Sequence, residues 1–285
     1  MKLNPDEIQL ILMTLKEHSK YDLMDYSEKS IQRRIEKIMD DFQVDVPEMV
    51  KRIKSDDIFP DKLVEAISVN TTEFFRDPEI WHQLRYDIYP QLKDLPQINI
   101  WHAGCSTGQE VYSNLILLNE LGLLDKANVF ATDINEKVVE KAKTGVFRYR
   151  FNYEQKENFD KVINEHPLNY EIRRDIPFNK YFDINEKRDI LAIKPFLKDK
   201  AMFRQHDLVN GDKSFRMKFH LIICRNVLIY FNFPLQKKII RMFYDNMENK
   251  GFIVLGHHES ILEPAEFNLK KQKEYYIKDI QSDKH

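Results

Sequence analysis

The sequence predicts a doubly wound α/β domain preceded by a small helical domain, and three observations carry that prediction. Up to about residue 66 the apolar residues recur at helical spacing. From residue 97 short apolar runs alternate with amphipathic helical stretches, the pattern of a parallel sheet covered on both faces. Between residues 147 and 200 that alternation breaks down, which marks an insertion, partly helical and ending in a short β-hairpin.

The first segment, "NPDEIQLILMTLKEH", sets Ile8, Leu12 and Leu15 on one face behind Asn4-Pro5, an N-cap followed by proline at the first helical position. "SEKSIQRRIEKIMDDF" repeats the pattern with Ile31, Ile35 and Ile38, while Lys29, Arg33, Arg34 and Lys37 lie largely off that face. "PEMVKRIKS" and a stretch from near Pro60 complete the bundle. Further on, "QINIWHA", "ANVFATDIN", "FHLIIC" and "FIVLGHHES" read as strands, and "KKQKEYYIKDI" as a final edge strand. The helices between them are "GQEVYSNLILLNELGLL", "EKVVEKAKTG" and "PLQKKIIRMFYDNMENKG", the last expected to end at Gly251. The expected division is a helical domain over 1–66 and an α/β domain over 67–285, with the insertion at about 148–200.

Composition narrows the function classes. Hydrophobic residues make up 42% of the 285 and net charge is −2, so overall charge gives no support to nucleic-acid binding. No apolar run approaches a membrane span and the N-terminus lacks a signal-peptide pattern, so a cytoplasmic protein is expected. The two cysteines, Cys105 and Cys224, each end an apolar run and read as reduced thiols, with no metal site.

"HAGCSTGQE" allows two chemistries. As G-x-S-x-G it would make Ser106 the nucleophile of an α/β-hydrolase, with Asp207 and His257 or His258 downstream. The helical region before it and the missing oxyanion segment speak against that. As a glycine turn after a strand it is a cofactor cradle, and Asp133, at the end of the second strand, stands where an acid bonds ribose hydroxyls. Glu110 opens the following helix, where a carboxylate repels a pyrophosphate and suits a cation, unless it merely stabilises the first helical turn. A cofactor with positive charge, ribose hydroxyls and no phosphate fits, and S-adenosylmethionine is one. "SVNTTEFFRD" gathers Asn70, Thr71 and Thr72 beside Arg76, with helix capping the plainer explanation. In "CRNVLIYF", Asn226 follows a strand's carboxyl end, where open α/β sheets bind ligands, and Tyr230 could return over the same crevice.

Taken in order, "NTTEFFRDP", "GCSTGQEVYS", "ATDIN", "CRNVLIYF" and "GHHES" resemble the CheR family of chemotaxis-receptor glutamate methyltransferases over nearly the whole chain. The resemblance implies a Rossmann-like class I S-adenosylmethionine-dependent methyltransferase domain, with an N-terminal helical domain and a small inserted β-subdomain. It implies a cofactor site of Asn70, Thr72, Arg76, Gly104, Glu110, Asp133, Asp207, Leu208, Arg225 and Asn226, with Arg76 facing the acceptor and Tyr230 near the transferred methyl group as the catalytic residues. Arg33 and Arg34 would meet the partner, the cytoplasmic helical bundle of methyl-accepting chemoreceptors, approached by a monomer without membrane insertion. Two departures stand out. "YFDINEKRDILAIKP" has no glycine where tethering members carry a glycine-containing loop, so docking of a receptor C-terminal pentapeptide is not expected. The stretch from Arg148 to Asn179 is also longer and more aromatic than usual. A non-catalytic S-adenosylmethionine-binding module and a small-molecule methyltransferase remain alternatives.

Overall fold

Asn4 begins the first helix as its sequence demands: its side chain accepts from Glu7 N and the Glu7 carboxylate accepts from Asn4 N, both at 2.9 Å, with Pro5 next. In the computed structural model, which describes residues 2–68, 72–169, 171–210 and 215–279, this α1 (Pro5–His18) joins α2 (Glu28–Phe42), α3 (Val46–Ser55) and α4 (Phe59–Ile67). Their apolar faces close a separate core that includes Ile11, Leu15, Ile35, Met49 and Leu63. Among the described residues no helix is long and apolar enough to cross a membrane.

Two short helices, α5 (Pro78–Gln83) and α6 (Tyr89–Leu92), lead into the main sheet. Its strands are β1 (Ile98–Ala103), β2 (Ala127–Asp133), β6 (Ala201–Gln205), β7 (Phe219–Cys224), β8 (Met247–Leu255), β9 (Leu269–Gln272) and β10 (Tyr275–Lys278), in the order β6-β2-β1-β7-β8-β10-β9. The five from β6 to β8 run parallel; β10 and β9 add antiparallel. α7 (Gln109–Glu120) crosses from β1 to β2, α8 (Glu136–Thr144) follows β2, and α12 (Phe233–Asp245) joins β7 to β8. Alternate residues of β1 serve opposite layers: Ile98 and Ile100 pack in the layer of α7, Trp101 and Ala103 in that of α12. Burial on both faces is why the strands read as unbroken apolar runs.

Two expectations at the C-terminal end need correction. The helix after β7 stops at Asp245 rather than Gly251: Asn246 Nδ2 donates to Met242 O (2.8 Å), while Asn246 O accepts from Phe219 N (2.8 Å) and turns the chain into β8. Gly251 instead lies within β8, beside a register irregularity, where a Cβ would stand 2.9 Å from Glu248 O. "KKQKEYYIKDI" forms a hairpin, not one edge strand, because Lys273 turns with φ 49° and Tyr275 returns against Gln272; β10 is interior and β9 is the edge.

The insertion makes a second sheet, β3 (Val146–Arg148), β4 (Phe182–Asn185) and β5 (Ile190–Ile193), antiparallel in the order β3-β5-β4. Short helices α9 (Tyr149–Asn152) and α10 (Lys156–Phe159) lie between β3 and β4, and α11 (Pro195–Lys198) follows β5. This segment buttresses residues 72–77: Gln155 Oε1 accepts from Phe74 N at 2.6 Å, and Phe159 meets Phe75 edge to face at 5.7 Å.

Candidate active site

The carboxyl ends of β1, β2 and β7 open into one cleft of about 1070 Å³, including its open mouth. It lies where the chain leaves β1 for one side of the sheet and later enters β7 on the other, the position where open α/β sheets bind ligands. Ser30, Ile31 and Arg34 of α2, with Ser68, Thr72 and Glu73, line it as well. Thr72, Arg76, Gly104, Glu110, Asp133, Asp207, Leu208, Arg225, Asn226, Tyr230 and Arg34 all line it. Asn70 lies outside the described residues.

The turn after β1 is shaped by close approach. Gly104 has φ 85°, and a Cβ on it would sit 2.3 Å from Val227 Cγ2, so only glycine lets the β1 and β7 loops meet. Gly104 N and Cys105 N both donate to Thr132 O at 2.8 Å. Ser106 also has positive φ (48°), and its N donates to Asp133 Oδ2 at 2.8 Å while Asn135 N reaches Oδ1 at 3.0 Å. Burial pushes the Asp133 carboxyl above its ordinary value, against these N–H bonds that favour its charged form.

Glu110 does not stand alone as a bare charge. His102 lies within 2.8 Å of its Oε1, and Arg225 Nη1 donates to Oε2 at 3.2 Å. Burial presses the carboxyl upward, yet the His102 bond and the Arg225 charge prevail and hold it below the ordinary glutamate value. Arg225 is itself buried and donates to Asp77 Oδ2 (2.7 Å) and Arg76 O (2.8 Å). Glu110 therefore faces the cleft not as a bare charge but paired with Arg225, a guanidinium it shares with Asp77 behind the cleft wall.

Residues 72–77 are held from behind. Phe74 and Phe75 are fully buried, and Phe75 (φ 52°) and Asp77 (φ 56°) take the left-handed conformation. Thr72 caps no helix, since the next one starts at Pro78. After β7, Asn226 has φ 59°, and the Glu259 carboxylate accepts from the backbone N–H groups of Asn226, Val227, Ile229 and Gly256. Ser106 and Asn226, both with positive φ, line the cleft, and Phe75 and Asp77, also with positive φ, flank its lining residue Arg76, a concentration of strain typical of functional sites.

The helical domain touches this loop directly. Ser27 N donates to Tyr230 O (2.8 Å), Tyr26 meets Phe231 edge to face at 5.0 Å, and the Arg34 guanidinium lies over the Tyr230 ring at 5.0 Å. Arg34 Nη1 also donates to Ile67 O at 2.7 Å. Arg33 and Arg34 are therefore not one outward patch: Arg33 is exposed and Arg34 turns into the cleft. The hydrolase alternative fails on geometry. Ser106 Oγ is buried without a hydrogen-bond partner among the described residues, while His257 and His258 are exposed and pack on each other at 5.1 Å.

Sequence reasoning missed His102, Asp77 and Glu259. A histidine inside an apolar strand and a glutamate in "GHHES" were visible signals; Asp77 gave none, because its partner Arg225 is remote in sequence.

Comparison with known proteins bears on this geometry. The family description "CheR methyltransferase, SAM binding domain" matches residues 70–184 and 173–276, and "CheR methyltransferase, all-alpha domain" matches residues 6–68. A Pseudomonas putida protein named methyltransferase Cher3 is 35% identical over 256 residues, covering 90% of this chain and 89% of that one. A protein named chemotaxis protein methyltransferase from Listeria innocua is 30% identical over 261 residues, covering 90% and 91%. A namesake from Borreliella burgdorferi is 30% identical over 214 residues, covering 70% and 68%.

Proposed function

This chain belongs to the CheR methyltransferase family, and from that premise we propose that it methylates glutamate side-chain carboxylates on the cytoplasmic helices of chemoreceptors, without tethering to a receptor C-terminal peptide. The observation that carries the reading is the one cleft joining the acids Glu110 and Asp133 to Arg76 and Tyr230, with Arg34 of α2 at its wall. S-adenosylmethionine is the family's cofactor and the cleft suits it. The acidic Glu110–Asp77 pair outweighs Arg225, Asp133 offers acceptor capacity beside the turn, and Gly104 leaves no side chain in the way.

When bound, the cofactor supplies a sulfonium methyl for in-line displacement by the acceptor carboxylate, giving a methyl ester and S-adenosylhomocysteine. In this reading Glu110 meets the amino end, Asp133 the ribose hydroxyls, and Asp207 with Leu208 the adenine side. Thr72 and Asn226 complete the contacts, and Asn70 would join them. Arg76 would position the acceptor carboxylate or that of the cofactor, and Tyr230 would orient the reacting group. A glutamate with reference pKa near 4.3 is already ionised at neutral pH, so no residue has to accept a proton. The protein's share is alignment and exclusion of water, worth roughly 7–11 kcal/mol when geometry is ideal.

The β4–β5 turn supports the untethered mode. Asp189 accepts from Arg150 N at 2.9 Å and faces Arg148 at 3.6 Å, so its charge is engaged within the subdomain. Incubation with methyl-labelled S-adenosylmethionine and receptor-containing membranes tests the proposal. Base-labile methyl esters on receptor glutamates are expected, at a rate indifferent to removal of the receptor C-terminus. Absence of such esters would refute the reaction, and a rate that collapses on truncation would refute the untethered mode.

A further inference from the structure

Beneath the cleft a chain of buried polar groups runs back from Glu110, and its direction follows from the orientation of the Asn114 amide, with Oδ1 toward Tyr89 and Nδ2 toward His102. Tyr89 O–H donates to Asn114 Oδ1, which leaves the Asn114 amide nitrogen, a donor only, 3.0 Å from His102 Nε2. His102 Nε2 must then be the bare, accepting nitrogen. The ring proton is on Nδ1, 2.8 Å from Glu110 Oε1, and donates to it. His102, Asn114 and Tyr89 are all buried.

We propose that His102 is a positioning residue for cofactor binding, a neutral Nδ1–H imidazole that fixes the Glu110 carboxylate without cancelling its charge. The inference rests on the reading of Glu110 as the contact for the cofactor's amino end. The charge count gives it its point. Arg225 is already divided between Glu110 and Asp77. A second cation on Oε1, such as a lysine or a protonated ring, would leave the group without net negative charge to offer a cationic ligand. A neutral donor orients the carboxylate just as well and leaves that charge in place. Asn114 enforces the neutral form by occupying Nε2 with a donor, which a protonated ring would oppose with a second N–H. β1 places the residue by parity: His102 projects to the same side as Ile100, toward α7, whose first and second turns carry Glu110 and Asn114.

The test compares the full chain with His102→Leu, His102→Asn and Glu110→Gln, using calorimetric titration with S-adenosylmethionine. Leucine removes the donor; asparagine sets an amide N–H near the position of Nδ1. His102→Leu should weaken binding at least about tenfold, the scale of one hydrogen bond to a charged group, and His102→Asn should recover most of it. In turnover, the loss should fall on KM for S-adenosylmethionine and leave KM for the receptor in place, a split that general loosening of the fold would not give. Nitrogen-15 spectra of the wild-type ring, assigned by the signals lost in His102→Asn, should show a neutral imidazole protonated at Nδ1. An imidazolium, an Nε2–H tautomer, or wild-type affinity in His102→Leu would overturn the proposal. So would a His102→Asn variant as weak as leucine. If His102→Leu does not fold, the tautomer decides. Glu110→Gln separates the two layers of the argument. Unchanged affinity there would remove the reading of Glu110 itself, whereas weakening there with none in His102→Leu would remove only the role of His102.

Discussion

Asp133 and Glu110 share one cleft and are displaced in opposite directions. Burial prevails at Asp133, whose two N–H donors do not fully offset it, and the carboxyl is raised. At Glu110 burial acts in the same sense but loses to His102 and Arg225, and the carboxyl is lowered. On the proposed reading each must be ionised to serve a cation or hydroxyl donors, so affinity for S-adenosylmethionine should fall on acidification, and the raised Asp133 should begin that fall above the ordinary aspartate value of about 3.9. Calorimetry across that range on the wild type and Asp133→Asn checks this: the variant should bind more weakly at neutral pH and lose the part of the pH dependence that Asp133 carries. The same sign applies to folding: the depressed Glu110 contributes stability above its unfolded value, lost as pH falls through the folded one. Arg76 allows a cleaner separation of roles. Its backbone oxygen, not its guanidinium, receives Arg225 Nη2 and Trp81 Nε1. Arg76→Ala should therefore cut methyl transfer by about a hundredfold or more, as loss of a positioned electrostatic group does, and move stability by less than about 1 kcal/mol. Near-normal turnover would remove Arg76 from the mechanism.

At the scale of elements, the loop Arg225–Phe231 depends on a residue outside it. Glu259 Oε2 takes the N–H of Asn226 (2.7 Å) and Gly256 (2.8 Å), and Oε1 takes those of Val227 (2.9 Å) and Ile229 (3.2 Å). Gly256 has to be glycine, because a Cβ would fall 2.7 Å from Oε2 and 2.9 Å from Asn226 N. A glutamine at 259 has one acceptor oxygen and turns an NH₂ toward two of those N–H groups. Glu259→Gln should cost about 1–3 kcal/mol for each group left unmatched, read as a lower melting temperature. It should weaken cofactor binding too, since Asn226 and Tyr230 ride on this loop; a variant that melts and binds like the wild type would deny the clamp. This dependence explains what the sequence could and could not disclose. β1, β2, β7 and the helices between them were legible because burial on both faces writes itself as apolar runs and helical spacing. The end of α12, the bulge at Gly251 and the β9–β10 turn were not, being decided by single hydrogen bonds and by left-handed turns at Lys250 and Lys273. Asp133 and Asn226 could be placed by their position after a strand, but Glu259 and Asp77 act through partners far along the chain.

At the scale of the whole molecule, the helical domain is part of the site's wall. Its contacts, Tyr26 with Phe231, Ser27 with Tyr230 and Asp25 with Asn232, join residues that no local pattern relates. They fix how α2 lies across the cleft mouth. Ser30, Ile31 and Arg34 face inward and line the cleft; Lys29, Arg33 and Lys37, at helical spacing on the neighbouring face, are exposed and form no ion pair among the described residues. Sequence spacing placed these cations off the apolar face but could not separate Arg34 from Arg33. Arg34, stacked on Tyr230, lines the cleft, whereas the outer stripe points away from it, so on the proposed reading only the stripe would meet the receptor. Exposed charges contribute little each, about 0.2–1 kcal/mol, and are screened over about 8 Å at physiological salt. Their effect should therefore be cumulative and sensitive to salt. Reversing all three to glutamate should raise KM for receptor about tenfold at low ionic strength, and the difference from the wild type should shrink as salt is added. S-adenosylmethionine affinity should not change, because the stripe does not line the cleft. Equal receptor KM at all salt concentrations would mean that the receptor approaches another face, and a parallel loss of cofactor affinity would mean that the stripe supports the cleft rather than the partner.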